Sequence, residues 1–343
     1  MKNRIESLLE SKLHRENEKI LLGIINQNGR ELYSVGLDKH SNVAMEDKIF
    51  EIGSISKVFT AVLLQTMVRD NIIQLDEPIV HYNPEYQRAF GKDMTLRNLV
   101  THTSNLPREA SNLKVKDRMN PYASYESKDL EHFLLNHKLR RTKQKWKYSN
   151  VGYGFLGNLL TELIGKNFED TIRDRICKPL HMNNTFIHIN DEHEDKLIKS
   201  YQKKKEIPPL SIPSLAGAGA LRSTMHDMFL FLEANLGLLN TPLLQDFNLT
   251  HKKQHKINKN THMGLGWIIS QDKETGEIIH WHTGGSVGFN TYIGIKKEKQ
   301  LGIIVATTKK HSLFKLIRVF LGFGQLVQED IANGVYKVLA PQS

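Results

Sequence analysis

Three short segments of this 343-residue chain carry side chains that could do chemistry together. The first is Glu51-Ile52-Gly53-Ser54-Ile55-Ser56-Lys57. A serine hydroxyl is a weak nucleophile until a neighbour takes its proton. If a helix starts at Ser54, Lys57 shares its face one turn on. Lysine serves as the base where burial or nearby cations disfavour its own charge. Ser54 would also sit at a helix N-terminus, where backbone N–H groups and the dipole favour developing negative charge. Read alone, the segment also fits a serine cap followed by an exposed lysine. The second segment is Lys147-Tyr148-Ser149-Asn150-Val151-Gly152-Tyr153. Tyr148 is a candidate general acid or base if cations such as Lys57 lower its pKa. Asn150 offers a donor and an acceptor to a substrate amide. A packing tyrosine before a turn is the alternative. The third is Trp281-His282-Thr283-Gly284-Gly285-Ser286. Its glycines allow substrate to approach the backbone. Gly285 N–H could join that of Ser54 in an oxyanion hole, with His282 and Thr283 touching substrate. A strand-end glycine turn explains the same letters.

The elements that must position these groups are legible in outline. Ile5, Leu8, Leu9 and Leu13 fall on one face of a first helix. Ile20 to Val35 reads as a hairpin around Asn28-Gly29. Val58, Ala61, Val62, Leu64, Gln65 and Val68 predict a largely buried helix from Ser56 to Arg69. From about Leu75 to Leu239 the chain reads mostly as helices and loops. These include a short helix after a Thr95 cap, one from Asp129 to His137, one from Val151 to Ile164, and one capped by Ser223 or Thr224. Gly217-Ala218-Gly219-Ala220 is small enough for close backbone approach. Strands return at Gly264–Ser270, Ile278–His282, Thr291–Ile295 and Leu301–Thr307, with turns at Glu274–Glu277 and Lys296–Lys299. A last helix is expected from Phe314 to Leu326, continuing to Val338. Strands at both ends with helices between predict an α+β fold, its antiparallel sheet built from both termini. The expected organisation is one catalytic domain over residues 1–343. Its sheet part covers about 18–60 and 260–343, and its mostly helical part about 61–259.

Composition narrows the function classes. Hydrophobic residues at 39% and charged residues at 24% suit a globular chain rather than a disordered one. No run approaches the roughly 18 apolar residues of a membrane span. Charged residues interrupt the apolar ones through the first nineteen positions, so no export signal is read and a cytoplasmic location is expected. Cys177 is the only cysteine, which excludes an intramolecular disulfide and reads as a small buried apolar side chain rather than a nucleophile. The net charge of +10 is scattered apart from Lys203-Lys204-Lys205 and Lys252-Lys253. It accompanies no nucleic-acid motif and reads as solvated surface. No HExxH or Cys/His cluster specifies a metal. Nothing in the sequence sets an oligomeric state.

Taken together and in order, S-x-x-K, Y-x-N and [K/H]-T-G resemble the signature set of the penicillin-recognising serine enzymes. The Tyr148-Ser149-Asn150 form most resembles class C β-lactamases and their relatives. Those relatives are low-molecular-mass penicillin-binding proteins, D-aminopeptidases and family VIII esterases. Leu96-Arg97-Asn98-Leu99-Val100-Thr101-His102-Thr103-Ser104 and Gly219-Ala220-Leu221-Arg222-Ser223-Thr224 are similar to that family too, and the likeness runs from about Ile20 to Thr308. The resemblance implies an antiparallel sheet flanked by helices, a helical subdomain, and a groove between them. It implies a serine hydrolase with an acyl-enzyme: Ser54 attacks, Lys57 and Tyr148 shuttle the proton, and Asn150 holds the substrate amide. No cofactor or metal is implied, and the partner is a small-molecule or peptide substrate. His102 falls in a family segment where its expected job is structural.

One departure bears on substrate. Family members that bind or cleave penicillins usually carry Lys where this chain has His282. A histidine near pKa 6.5 grips a carboxylate less well at pH 7. If His282 does hold one, binding should tighten towards about pH 6. The H-T-G form and the missing export signal place a D-amino-acid peptidase or esterase ahead of a β-lactamase. The alternatives are a D-alanyl-D-alanine carboxypeptidase-like penicillin-binding protein and a catalytically idle binding protein on the same fold.

Overall fold

The computed structural model describes residues 1–38, 40–137, 145–272, 275–310 and 325–340. Twelve strands are found among them. These are β1 (Ile20–Asn26), β2 (Gly29–Val35), β3 (Ile49–Glu51), β4 (Tyr201–Gln202), β5 (Lys205–Glu206) and β6 (Arg222–Thr224). Then come β7 (His255–Asn258), β8 (Thr261–Met263), β9 (Ile268–Gln271), β10 (Ile278–Gly285), β11 (Asn290–Lys296) and β12 (Leu301–Thr307). The helices that matter here are α1 (Lys2–Lys12), α2 (Ser56–Arg69), α3 (Leu96–Val100), α4 (Ser127–Asn136), α5 (Asn150–Ile164), α6 (Ala216–Gly219), α7 (Met225–Leu236) and α8 (Val327–Leu339).

Eight strands form one antiparallel sheet in the order β2-β1-β12-β11-β10-β9-β8-β7. Early and late strands meet where β1 pairs with β12, Leu22 opposite Val305, so the sheet is built from both ends of the chain. β3 and β6 pair separately, Phe50 opposite Ser223. The sheet is covered on both faces, which is why β1 reads as a continuous apolar run. Leu21 and Ile25 join the large core under the helical half. Ile20, Leu22 and Ile24 join a second core that contains Ile5 and Leu9 of α1 and Ile331 and Val335 of α8.

Helix α2 runs through the middle of the large core, and every residue from Ser56 to Met67 is buried. It packs against α6 and α5, where small residues let backbones touch. A Cβ on Gly217 would stand 2.8 Å from Tyr153 O and 3.0 Å from Gly157 Cα. Caps fix the ends: Thr95 accepts from Asn98 N, Ser149 from Gly152 N, and Thr224 from Asp227 N. Cys177 is fully buried, and burial pushes its thiol up. No helix among the described residues is long and apolar enough to cross a membrane.

Several expected boundaries move. The hairpin pairs Asn26 with Gly29, so its loop is Gln27-Asn28 and Gly29 opens β2 at φ +113°. The strand read from Gly264 begins only at Ile268. Gly266 turns the chain at φ +76°, and its Cα lies so close to α2 that a Cβ would stand 2.9 Å from that of Ala61. The expected helix from Phe314 lies outside the described residues as far as residue 324, and α8 starts at Val327. Glu274 of the expected turn also lies outside them.

Candidate active site

The nucleophile candidate sits in a turn rather than at the first residue of a helix. Residues Gly53–Ile55 form a 3-10 turn between β3 and α2. Gly53 enters it at φ +52°, a conformation that favours glycine. A Cβ there would also stand 2.7 Å from Gly285 N, at the end of β10. Thus the end of β10 lies against the Ser54 turn, backbone to backbone. Gly284 completes the contact: a Cβ on it would fall 2.1 Å from Ile52 O and 2.1 Å from Thr291 Oγ1.

Lys57 is fully buried, and its Nζ meets three oxygen atoms. They are Ser54 Oγ at 3.0 Å, Asn150 Oδ1 at 2.9 Å and the Ala218 carbonyl at 2.7 Å. Burial, reinforced by the Arg108 charge, holds Lys57 well below the ordinary lysine range, while Glu109 works in the opposite direction. The lysine therefore has the low proton affinity that a base for a serine hydroxyl needs.

Tyr148 lies under the Lys57 side chain, with Nζ 4.9 Å from its ring centre. Arg108 covers the ring at 5.3 Å and His102 packs on it at 4.5 Å between centres. The expectation of a lowered tyrosine pKa is not met. Burial pushes Tyr148 up to about 12, outweighing its hydrogen bond with Ser54 and the Arg108 charge. A Lys57 that sheds its proton easily is no standing cation to offset that burial. Tyr148 thus carries its proton at neutral pH and can donate it.

Backbone contacts hold the Tyr148 loop to the preceding one. Lys147 N donates to His102 O at 2.8 Å, and Asn150 N donates to Arg108 O at 2.9 Å. His102 Nδ1 accepts from Ser149 N at 3.1 Å. Burial holds the His102 ring well below the usual histidine range, so it remains neutral and hydrogen-bonded.

His282 faces this cluster from β10, its ring centre 6.2 Å from that of Tyr148. Its Nδ1 lies 2.7 Å from the Thr283 carbonyl, which can only accept, so Nδ1 carries the hydrogen. Burial pushes His282 down to about 3 rather than leaving it near 6.5. It stays neutral through the physiological range, and the expected tightening of carboxylate binding towards pH 6 loses its titrating group. Thr283 alternates along the strand to the face of Trp281, and its carbonyl is what touches the cluster. Ser54, Lys57, Tyr148, Asn150, His282 and the Gly285 backbone are thus brought together.

Sequence reasoning missed two contributors. Ala218 acts through its backbone carbonyl, which no side-chain pattern reveals. Glu109 Oε1 accepts from Asn150 Nδ2 at 2.7 Å. Its only local signal was an acid lying shortly after the Leu-Val-Thr-His-Thr-Ser segment.

A family model described as Beta-lactamase matches residues 22–319. The D-alanyl-D-alanine-carboxypeptidase/endopeptidase AmpH of Escherichia coli K12 is 26% identical over 333 residues, covering 91% of this chain and 84% of that protein. A β-lactamase of the same organism is 26% identical over 299 residues, covering 78% of this chain and 77% of its own. Among solved structures, a class C β-lactamase from Rhodobacter sphaeroides superposes with a TM-score of 0.81 at 19% identity, covering 98% of this chain and all of that one. Another class C β-lactamase gives 0.83 at 20% identity, covering 100% and 97%. The mixed α/β fold expected from the sequence is therefore the class C β-lactamase fold.

Proposed function

The chain belongs to the β-lactamase family, and from that premise we propose that it is a serine hydrolase that cleaves an amide or ester through an acyl-enzyme on Ser54. The observation that carries this reading is the buried Lys57 amine 3.0 Å from Ser54 Oγ. Ser54 Oγ attacks the substrate carbonyl carbon as Lys57 takes the hydroxyl proton. The oxyanion that forms is met by the N–H groups of Ser54 and Gly285, whose strand end lies against the Ser54 turn. Tyr148, protonated at neutral pH, donates to the departing amine or alcohol. Water then attacks the acyl ester, its proton follows the reverse path, and Ser54 is restored with release of a carboxylic acid.

D-amino-acid peptides and esters stand ahead of β-lactams as substrates. The support is His282, buried and neutral where efficient penicillin-binding relatives carry a lysine. A neutral ring offers a carboxylate little electrostatic attraction.

The test is intact-protein mass spectrometry after exposure to a fluorophosphonate, with wild type and Ser54→Ala. An adduct on wild type alone supports the reading. An unlabelled wild type overturns it and leaves a non-catalytic binding protein on this fold. A panel of D-aminoacyl anilide, short-chain ester and cephalosporin reporters ranks the substrates. Cephalosporin turnover without anilide or ester cleavage would reverse the order.

A further inference from the structure

Glu109 lies outside all three motifs, yet its carboxylate holds one of their members. Asn150 spans two groups of opposite needs: Lys57 Nζ donates to Oδ1 at 2.9 Å, and Nδ2 donates to Glu109 Oε1 at 2.7 Å. A primary amide turned over about its last torsion exchanges its oxygen and nitrogen with almost no change of shape, so its partners decide which way it faces. An ionised carboxylate can only accept. The amide end facing Glu109 must therefore be the NH2, and the oxygen is left for Lys57.

We propose that Glu109 is a positioning residue that locks the orientation of the Asn150 amide and, through it, aims the Lys57 lone pair at the Ser54 hydroxyl. The step from amide to lone pair is a count of hydrogen-bonding capacity. A neutral lysine amine has two N–H donors and one lone pair. Ala218 O and Asn150 Oδ1, at 2.7 and 2.9 Å, can only accept, so they take both donors. The third direction points to Ser54 Oγ at 3.0 Å, and it holds the lone pair. With the amide reversed, Asn150 NH2 would compete with the Ser54 hydroxyl for that lone pair, and its oxygen would face a carboxylate. Glu109 is well placed for this duty. Asn150 N is itself tied to Arg108 O at 2.9 Å, so the carboxylate follows directly from the residue that anchors the start of α5. The Tyr122 hydroxyl, which burial and Glu109 keep protonated, borders the same pair.

This inference rests on the reading of Ser54 and Lys57 as nucleophile and base, and the experiment separates the two. The probe is a fluorophosphonate, and the readout is the second-order labelling rate of Ser54 across pH by intact mass. The charged or titratable groups around Lys57 are Arg108, Glu109, Tyr148, Tyr153, His102 and His282. Glu109→Ala removes the orienting acceptor, and the labelling rate is expected to fall at least about tenfold. Glu109→Gln can still present an oxygen to Asn150, so it should stay within about threefold of wild type. Its missing negative charge should move the acid limb of the pH profile to lower pH. Melting temperatures of both variants check that the fold survives. Glu109→Ala labelled at the wild-type rate, with an unmoved pH profile, overturns the Glu109 assignment alone. If that variant does not fold, Glu109→Met, which fills the space without an oxygen acceptor, decides: labelling at least about tenfold slower than that of Glu109→Gln supports the assignment and an equal rate overturns it. A wild type that takes no label overturns the nucleophile reading, and this proposal with it.

Discussion

Lowering the pH from 7 to 5 should cost this protein a large part of its stability, because its fold keeps several imidazoles away from water. His280 and His282 are 9% and 2% exposed on one face of β10. Burial pushes them down to about 4 and about 3, whereas in the unfolded chain they titrate near 6.5. The native values are the lower ones, so below pH 6.5 the unfolded state binds more protons and stability falls with pH. The window runs from about 6.5 down to about 4 for His280 and about 3 for His282. At pH 5 the unfolded chain has gained 1.5 pH units of protonation at about 1.36 kcal/mol each, or about 2 kcal/mol per histidine. The native state has gained almost nothing. Two such residues remove about 4 kcal/mol from a total that is typically about 5–15 kcal/mol. His102 and His251, also held below the ordinary range, act in the same direction. Asp227 and Asp246, raised by burial, act against it. A differential measurement removes that offset. Urea unfolding of wild type and His280→Gln at pH 7 and pH 5 should show the wild type losing about 2 kcal/mol more than the variant. Equal losses would refute the claim that His280 is held neutral by its burial.

Two further outcomes follow from the site geometry. Tyr148→Phe removes a donor that stays protonated at neutral pH, so cleavage of an anilide or peptide should fall by about 10²–10³. A p-nitrophenyl ester, whose leaving group needs no proton, should lose less than about tenfold, and equal losses would remove Tyr148 from that role. Gly284→Ala forces a methyl into the space held by Ile52 O and Thr291 Oγ1. Displacing the end of β10 from the Ser54 turn by about 1 Å should lower the labelling rate by about 10². A wild-type rate would show that the strand end does not set the oxyanion geometry.

Much of this architecture could be read from the chain, and the parts that could not have specific reasons. The interval Ser56–Arg69 was legible because its apolar residues surround the helix, and the structure buries nearly all of it. Strands β7 and β8 were not read. His255–Asn258 and Thr261–Met263 are short, polar and at the sheet edge, so neither alternation nor apolar content marks them. The helix begins at Ser56, where its apolar pattern begins, and Ser54 lies in the 3-10 turn before it rather than in the helix itself. The Ser54–Lys57 proximity does not depend on that difference, since Nζ reaches Oγ from the turn. Proton affinities were the least legible. His282 and Tyr148 depart from ordinary values through burial by residues far away in sequence, and the composition of a motif carries no record of that. Glu109 was hidden for a related reason: its partner is 41 positions away.

The pairing of β1 with β12 also imposes an order of events during synthesis. β1 meets β2 almost at once, across a two-residue loop. Its other neighbour, with Ile20 opposite Thr307, leaves the ribosome nearly 290 residues later. At about 5–20 residues per second that is a wait of roughly 15–60 s. Ser54 and Lys57 emerge early, but the β10 end that abuts the Ser54 turn is among the last parts made. In the nascent chain Ser54 and Lys57 therefore wait without the β10 end, and the full candidate site comes together only when the late strands close the sheet.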